Sequence, residues 1–170
     1  ETNMAKAARK KMAAKRSKKP VARPAARRKA PARAAAAPAK RVRQVLSDRV
    51  SEPMAVSYSN CLVFGDTVYL AGMTAGDGKG GIEGNGSPYG QARQCLLKIR
   101  RVLKAAGCSM SDVVKLTVYV TDIAMRPDLG RARAEFFKPP MPCSTLVQIG
   151  ALAQPGLVIE IDATAVIQRK

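Results

Sequence analysis

The chain has 170 residues, with no His and no Trp, and its four Cys stand at positions 61, 95, 108 and 143 with no C-x-x-C pair. Without an imidazole there is no Ser-His-Asp triad, no Cys-His dyad, no H-E-x-x-H zinc site and no His-ligated haem. Cys61, Cys95, Cys108 and Cys143 each lie among apolar or small residues, so all four are expected to be buried thiols of a reducing compartment. No metal and no cofactor is expected. The glycine-rich stretch Gly76–Gly86 (GDGKGGIEGNG) lacks the G-x-x-x-x-G-K-[ST] spacing of a phosphate cradle and reads as a loop.

Charge is the other chemical resource. Lys and Arg number 30 against 12 acids, a formal net charge of +18, and the excess is segregated. Residues 1–43 hold 16 basic side chains and one acid, with 15 Ala, four Pro and no aromatic, whereas the remainder carries 14 against 11. Such a segment cannot build a core. Its Lys6, Arg9, Lys10, Lys11, Lys15, Arg16, Lys18, Lys19, Arg23, Arg27, Arg28, Lys29, Arg33, Lys40, Arg41 and Arg43 are of the type that displaces counterions from phosphates. With no aromatic to stack on bases, such an arm would bind RNA without reading its sequence. The expected organisation is a basic extension over 1–43, a linker over 44–53 and a folded domain over 54–170. A targeting segment is a second use of the same composition, and Lys10–Lys19 (KKMAAKRSKK) also reads as a nuclear import signal of a chromatin-associated factor. No apolar run approaches the roughly 18 residues of a membrane helix, so a soluble intracellular protein without a membrane partner is expected.

The elements that would position a site follow from periodicity. Ser59–Phe64 and Thr67–Met73 read as a hairpin around Gly65-Asp66. In Pro88–Ala106, residues Ala92, Cys95, Leu96, Ile99, Val102, Leu103 and Ala106 recur at steps of three and four, and Gly107 ends the helix. Its other face carries Arg93, Lys98, Arg100, Arg101 and Lys104, read as a solvated stripe that could also rest on RNA. Val113–Val120 alternates as a half-buried strand, Pro127–Phe137 forms a second helix, and Thr145–Leu152 and Leu157–Ile167 are the last strands. The order β-β-α-β-α-β-β predicts an α+β domain, one mixed sheet with two helices on one face.

Within this frame Gln91–Asp122 (QARQCLLKIRRVLKAAGCSMSDVVKLTVYVTD) resembles the Q-x-x-Q-x-L-x-N-I-x-x-x-L-x-A-A-G-x-x-x-x-D-V-V-K-x-T-V-Y-[LV]-T-D pattern of the Rid (YjgF, enamine/imine deaminase) family. Tyr58-Ser59, Tyr69–Gly72 and Ile159–Ala163 fall where its flanking motifs fall, and the resemblance covers about Tyr58 to Val166. It implies a chorismate-mutase-like subunit, a trimer and clefts between subunits. It also implies an Arg in a P-A-R-[ST] motif that grips the substrate carboxylate. Pro142-Cys143-Ser144-Thr145 places Ser144 there, and a hydroxyl does not replace a guanidinium fork. The family's S-G-Q reads Ala71-Gly72-Met73, and the Asn of its T-D-x-N reads Ala124. Tyr58 and Glu160 are the site positions that persist, Glu160 where a carboxylate would orient the attacking water.

These losses, set beside the basic extension, lead to the expectation of a non-enzymatic, RNA-binding structural component of a ribonucleoprotein particle. A mitochondrial ribosome is the expected host, in the matrix, with rRNA, ribosomal proteins and copies or paralogues of the chain as partners. A start at Glu1 suits removal of a presequence. The alternatives are an imine/enamine deaminase-like hydrolase using Glu160 and Tyr58, and a nuclear or chromatin-associated factor. Members of the family have also been described as ribonucleases, for which the sequence offers no general acid/base pair.

Overall fold

In the computed structural model, residues 41–53 and 57–168 are described. Their elements run β1 (Arg43–Gln44), β2 (Cys61–Phe64), β3 (Thr67–Thr74), α1 (Pro88–Ala106), β4 (Val113–Val120), α2 (Arg126–Ala134), β5 (Cys143–Gln148) and β6 (Ile159–Val166). They form one six-stranded sheet in the order β1-β2-β3-β6-β4-β5. All neighbours are antiparallel except β4 and β5, which run parallel because α2 carries the chain back between them. This is the expected α+β architecture with β1 added. Arg43–Gln44 pairs with β2, and Val45 and Val50 are buried, so residues placed in a linker belong to the sheet and the core.

Helix α1 follows its sequence pattern. Ser87 Oγ accepts from Gly90 N at 3.0 Å, and Gly107, at φ 86, closes the C-terminus. Its apolar stripe, including Leu96, Ile99, Val102 and Leu103, is fully buried against β3, β6 and α2. Complete burial of each such side chain contributes about 1.5–3 kcal/mol. The basic stripe is not simply solvated. Arg93 pairs with Glu135 at 2.8 Å, Arg100 lies over the Phe136 ring, and Lys98 donates to the carbonyls of Thr74 (2.9 Å) and Gly76. Helix α2 ends at Ala134, three residues before the expected end, and Phe136 and Phe137 pack from the turns that follow. Strand β5 begins two residues earlier than expected, at Cys143, and stops at Gln148.

The sheet is two-sided. Val68, Leu116, Val118, Ile159, Ile161, Ala163 and Ala165 turn toward the helices and are buried. The alternate residues Phe64, Tyr69, Val147 and Val166 leave an exposed apolar face opposite.

Gln91 ties the layers together. It is fully buried; Nε2 donates to Gly156 O at 2.8 Å and Oε1 accepts from Val158 N at 3.0 Å, joining α1 to the approach to β6. Gln91→Leu would leave both backbone groups without partners, at about 1–3 kcal/mol each. We expect urea unfolding to lose about 2–6 kcal/mol in this variant with an unchanged m value. A loss below the smallest single-group cost would contradict this role.

Candidate active site

Of the cysteines, Cys61, Cys95 and Cys108 are buried free thiols, as expected. Burial pushes the Cys61 thiol up to about 11 and the Cys95 thiol up to about 12, so both stay protonated and inert. Cys143 departs from the expectation, because its place on β5, the outermost strand, leaves it exposed. Of the sixteen basic residues assigned to RNA, Lys6 to Lys40 lie outside the described residues. Arg41 and Arg43 are described and exposed, Arg43 on β1.

Glu160 and Tyr58 are linked only through Gly72, which packs against the Glu160 carboxylate and lines a cavity with Tyr58; Glu160 itself does not line that cavity. Glu160 lies on β6, pairs with Thr74 on β3 and Tyr119 on β4, and belongs to the open face, since Ile159 and Ile161 on either side are buried among the helices. The register shift between Leu70 and Met73 brings Gly72 beneath it. A Cβ on Gly72 would collide with the Glu160 carboxylate, so the carboxylate lies directly on the glycine backbone. Partial burial, and then the carboxylate of Asp162 two residues along the same face, raises the Glu160 pKa above the ordinary value. Gly72 also lines a cavity of about 360 Å³ together with Tyr58, Asn60, Met73, Thr74 and Lys98. Tyr58 is 61% exposed at its wall, and Asn60 is held by its Nδ2 donating to Ser51 O at 3.0 Å. A carboxylate whose pKa is raised by burial and by a neighbouring carboxylate, packed on the backbone of a cavity-lining glycine, can act as a general base and acid.

Ser144 is exposed on β5 and stands in register with Leu116, on the helix side of the sheet. Its hydroxyl accepts from Arg133 Nη1, on α2, at 3.1 Å. A guanidinium therefore does reach the position that reads as a lost arginine. Sequence reasoning missed it because Arg133 is eleven residues away and looks like one more helix-surface cation. Ala124 is exposed in the turn before α2 and offers no polar side chain. Among the described residues, no three His, Cys, Asp or Glu side chains gather as a set of metal ligands.

Comparison with known proteins gives this geometry a context. The Endoribonuclease L-PSP family model matches residues 50–167. Human 2-iminobutanoate/2-iminopropanoate deaminase is 31% identical over 125 residues, covering 74% of this chain and 90% of that protein. A RutC family protein of Pyrococcus horikoshii is 34% identical over 108 residues, covering 64% and 85%. Among solved structures, RidA from the Antarctic bacterium Psychrobacter sp. has a TM-score of 0.65 at 31% identity, over 74% of this chain and 99% of that one. E. coli TdcF with bound serine has a TM-score of 0.66 at 25% identity, again over 74% and 99%.

These relatives correct the functional expectation. They are named as deaminases and Rid-type proteins, not as ribosomal components, which overturns the reading of a non-enzymatic ribonucleoprotein subunit of a mitochondrial ribosome. That reading weighted the composition of residues 1–43 above the chemistry of the domain. The match over residues 50–167, the relatives above 30% identity and the shared architecture of sheet and helices together make this chain a member of the Rid (YjgF) family.

Proposed function

We propose that the chain hydrolyses the C=N bond of a small imine, releasing ammonia and leaving a carbonyl compound. The observation that carries this reading is the Glu160 carboxylate, raised by burial and by Asp162 and seated on Gly72, a residue that in turn lines a cavity with Tyr58. Water adds to the imine carbon while Glu160 takes its proton; the C–O bond forms and the C=N electron pair moves onto nitrogen. The carbinolamine then collapses. The nitrogen has taken the first water proton back from Glu160 to give the neutral amine; on collapse Glu160 relays the hydroxyl proton to it as well, the C–N bond breaks, ammonia leaves and the oxygen forms the carbonyl. Imine and water become carbonyl and ammonia with no change of oxidation state. Tyr58, at the cavity wall, supplies a hydroxyl to orient the substrate. The names of the relatives, and the serine bound in one of them, support imino- or amino-acid-sized ligands as the class.

The open sheet face supports an oligomer. Leu62 and Tyr69 pair across β2 and β3 on that face, with Phe64 and Val166 beside them, and an apolar surface of this kind marks a protein contact. A trimer is the assembly that the family resemblance implies.

Three outcomes are expected. Ammonia is released from freshly generated 2-iminobutanoate, and Glu160→Gln lowers kcat by about 10²–10⁴-fold. The acid limb of the pH–rate profile lies above the ordinary glutamate value of about 4.3; an unchanged rate in Glu160→Gln contradicts the assignment. Stability carries the same signature: with a folded-state pKa above the unfolded one, ionising Glu160 costs stability as pH rises through the folded value. Glu160→Gln should therefore melt above the parent protein at pH 8, and the difference should vanish below about pH 4. Finally, equilibrium sedimentation should give three times the 18.1 kDa chain, about 54 kDa, and Leu62→Asp should yield folded monomers. A monomeric parent protein would refute the assembly.

A further inference from the structure

Among the described residues Arg133 has no counter-charge. Its side chain is partly buried, its Nε is sealed from solvent with no acceptor among the described residues, and its Nη1 donates to the Ser144 hydroxyl at 3.1 Å. Removal from water lowers its pKa, and no neighbouring charge opposes that shift. The acids nearby on its own helix and just beyond are committed elsewhere. Asp128 is bonded to Arg131, which also stacks on the Tyr89 ring, and Glu135 is held by both Tyr89 and Arg93. Among the described residues no carboxylate pairs with Arg133. A guanidinium carries five donors, and leaving a desolvated one uncompensated is costly. The geometry calls for an external oxyanion with two acceptors on one plane, at the surface where Ser144 is exposed.

We propose that Arg133, with Ser144 beside it, forms the subsite that grips the carboxylate of the imino-acid substrate, the guanidinium coming from α2 instead of β5. The identity of the ligand rests on the deaminase reading, whereas the existence of an oxyanion site rests on Arg133 alone. A single subunit cannot bring this subsite to Glu160. Ser144 is on the helix side of β5, Glu160 is on the open side of β6, and β4 lies between them, a lateral gap of about 10 Å across two strand spacings. A small imino acid spans neither the gap nor the sheet. The complete site therefore pairs Glu160 of one copy with Arg133 of another.

The test is calorimetric binding of 2-oxobutanoate, the keto product of the proposed reaction, to the full chain and to Arg133→Gln and Ser144→Asp, with ammonia release from 2-iminobutanoate measured in parallel. Ser144→Asp changes an exposed residue and places an internal carboxylate on Arg133, so it blocks the subsite even where Arg133→Gln fails to fold. Each variant is expected to bind about 10- to 100-fold more weakly, the loss expected for charge-assisted hydrogen bonds, with KM for the imino acid rising by the same factor. Arg133→Lys should restore binding only in part, because it keeps the charge and loses the fork. Variants that bind as the parent protein does overturn the subsite, and continued ammonia release then leaves the deaminase reading standing. A parent protein that binds no 2-oxobutanoate also overturns it. Binding lost in both variants, with no ammonia from any imine, supports the oxyanion site and refutes the deaminase.

Discussion

The sheet is packed by helices on one face and bare on the other, and the rest of the molecule follows from that asymmetry. The covered face supplies the dry core: Leu96, Ile99 and Leu103 of α1 and Val68, Leu116 and Ile161 of the sheet are all fully excluded from water. The bare face holds the paired carboxylates of β6. Glu160 and Asp162 stand two residues apart on β6, close enough for one carboxylate to raise the pKa of the other. Gly72, at the irregular point of β3, removes the side chain that would otherwise fill the space the Glu160 carboxylate occupies. The same face carries the exposed apolar residues Phe64, Tyr69 and Val166, so the proposed catalytic carboxylate and the proposed contact with a second copy share one surface.

How the helices use their cations reinforces this picture. Lys98 ties α1 to the end of β3, Arg93 ties it to Glu135, and Arg131 closes on Asp128 within α2. These pairs are largely exposed and contribute little each, but together they consume the local acids. Arg133 is what remains, half-removed from water and facing β5 through Ser144. A structural arginine in such a position would ordinarily find a carboxylate within its own fold; here the fold offers a hydroxyl.

Much of this was legible in the sequence. The span of α1 follows from apolar steps of three and four between Ser87 and Gly107, and the β2–β3 hairpin from β-branched and aromatic residues around Gly65-Asp66. Other features were not. Strand β1 is two residues whose pairing is dictated by the free edge of β2, not by any pattern of their own. The end of α2 was misplaced because Phe136 and Phe137 continue the apolar spacing after the chain has left the helix. The site was half-read. Glu160 and Tyr58 were singled out by motif, whereas the Arg133–Ser144 hydrogen bond left no motif, because its guanidinium arrives from another element. The functional error has a physical source as well: unbalanced charge over residues 1–43 is the loudest signal in the composition, yet composition reports what a segment can attract, not what the domain beside it catalyses.

The central claim is that one small-molecule site is built from Glu160 of one copy and Arg133 of its neighbour. Complementation measures this directly: Glu160→Gln and Arg133→Gln chains, each impaired alone, the second through KM, are co-expressed and the mixed assemblies assayed for ammonia release at 2-iminobutanoate concentrations below the parent KM. The account predicts recovery to about a quarter of the parent activity, the statistical share of interfaces in a cyclic assembly that join the two intact residues. Mixed assemblies that form but stay inactive would contradict a shared site.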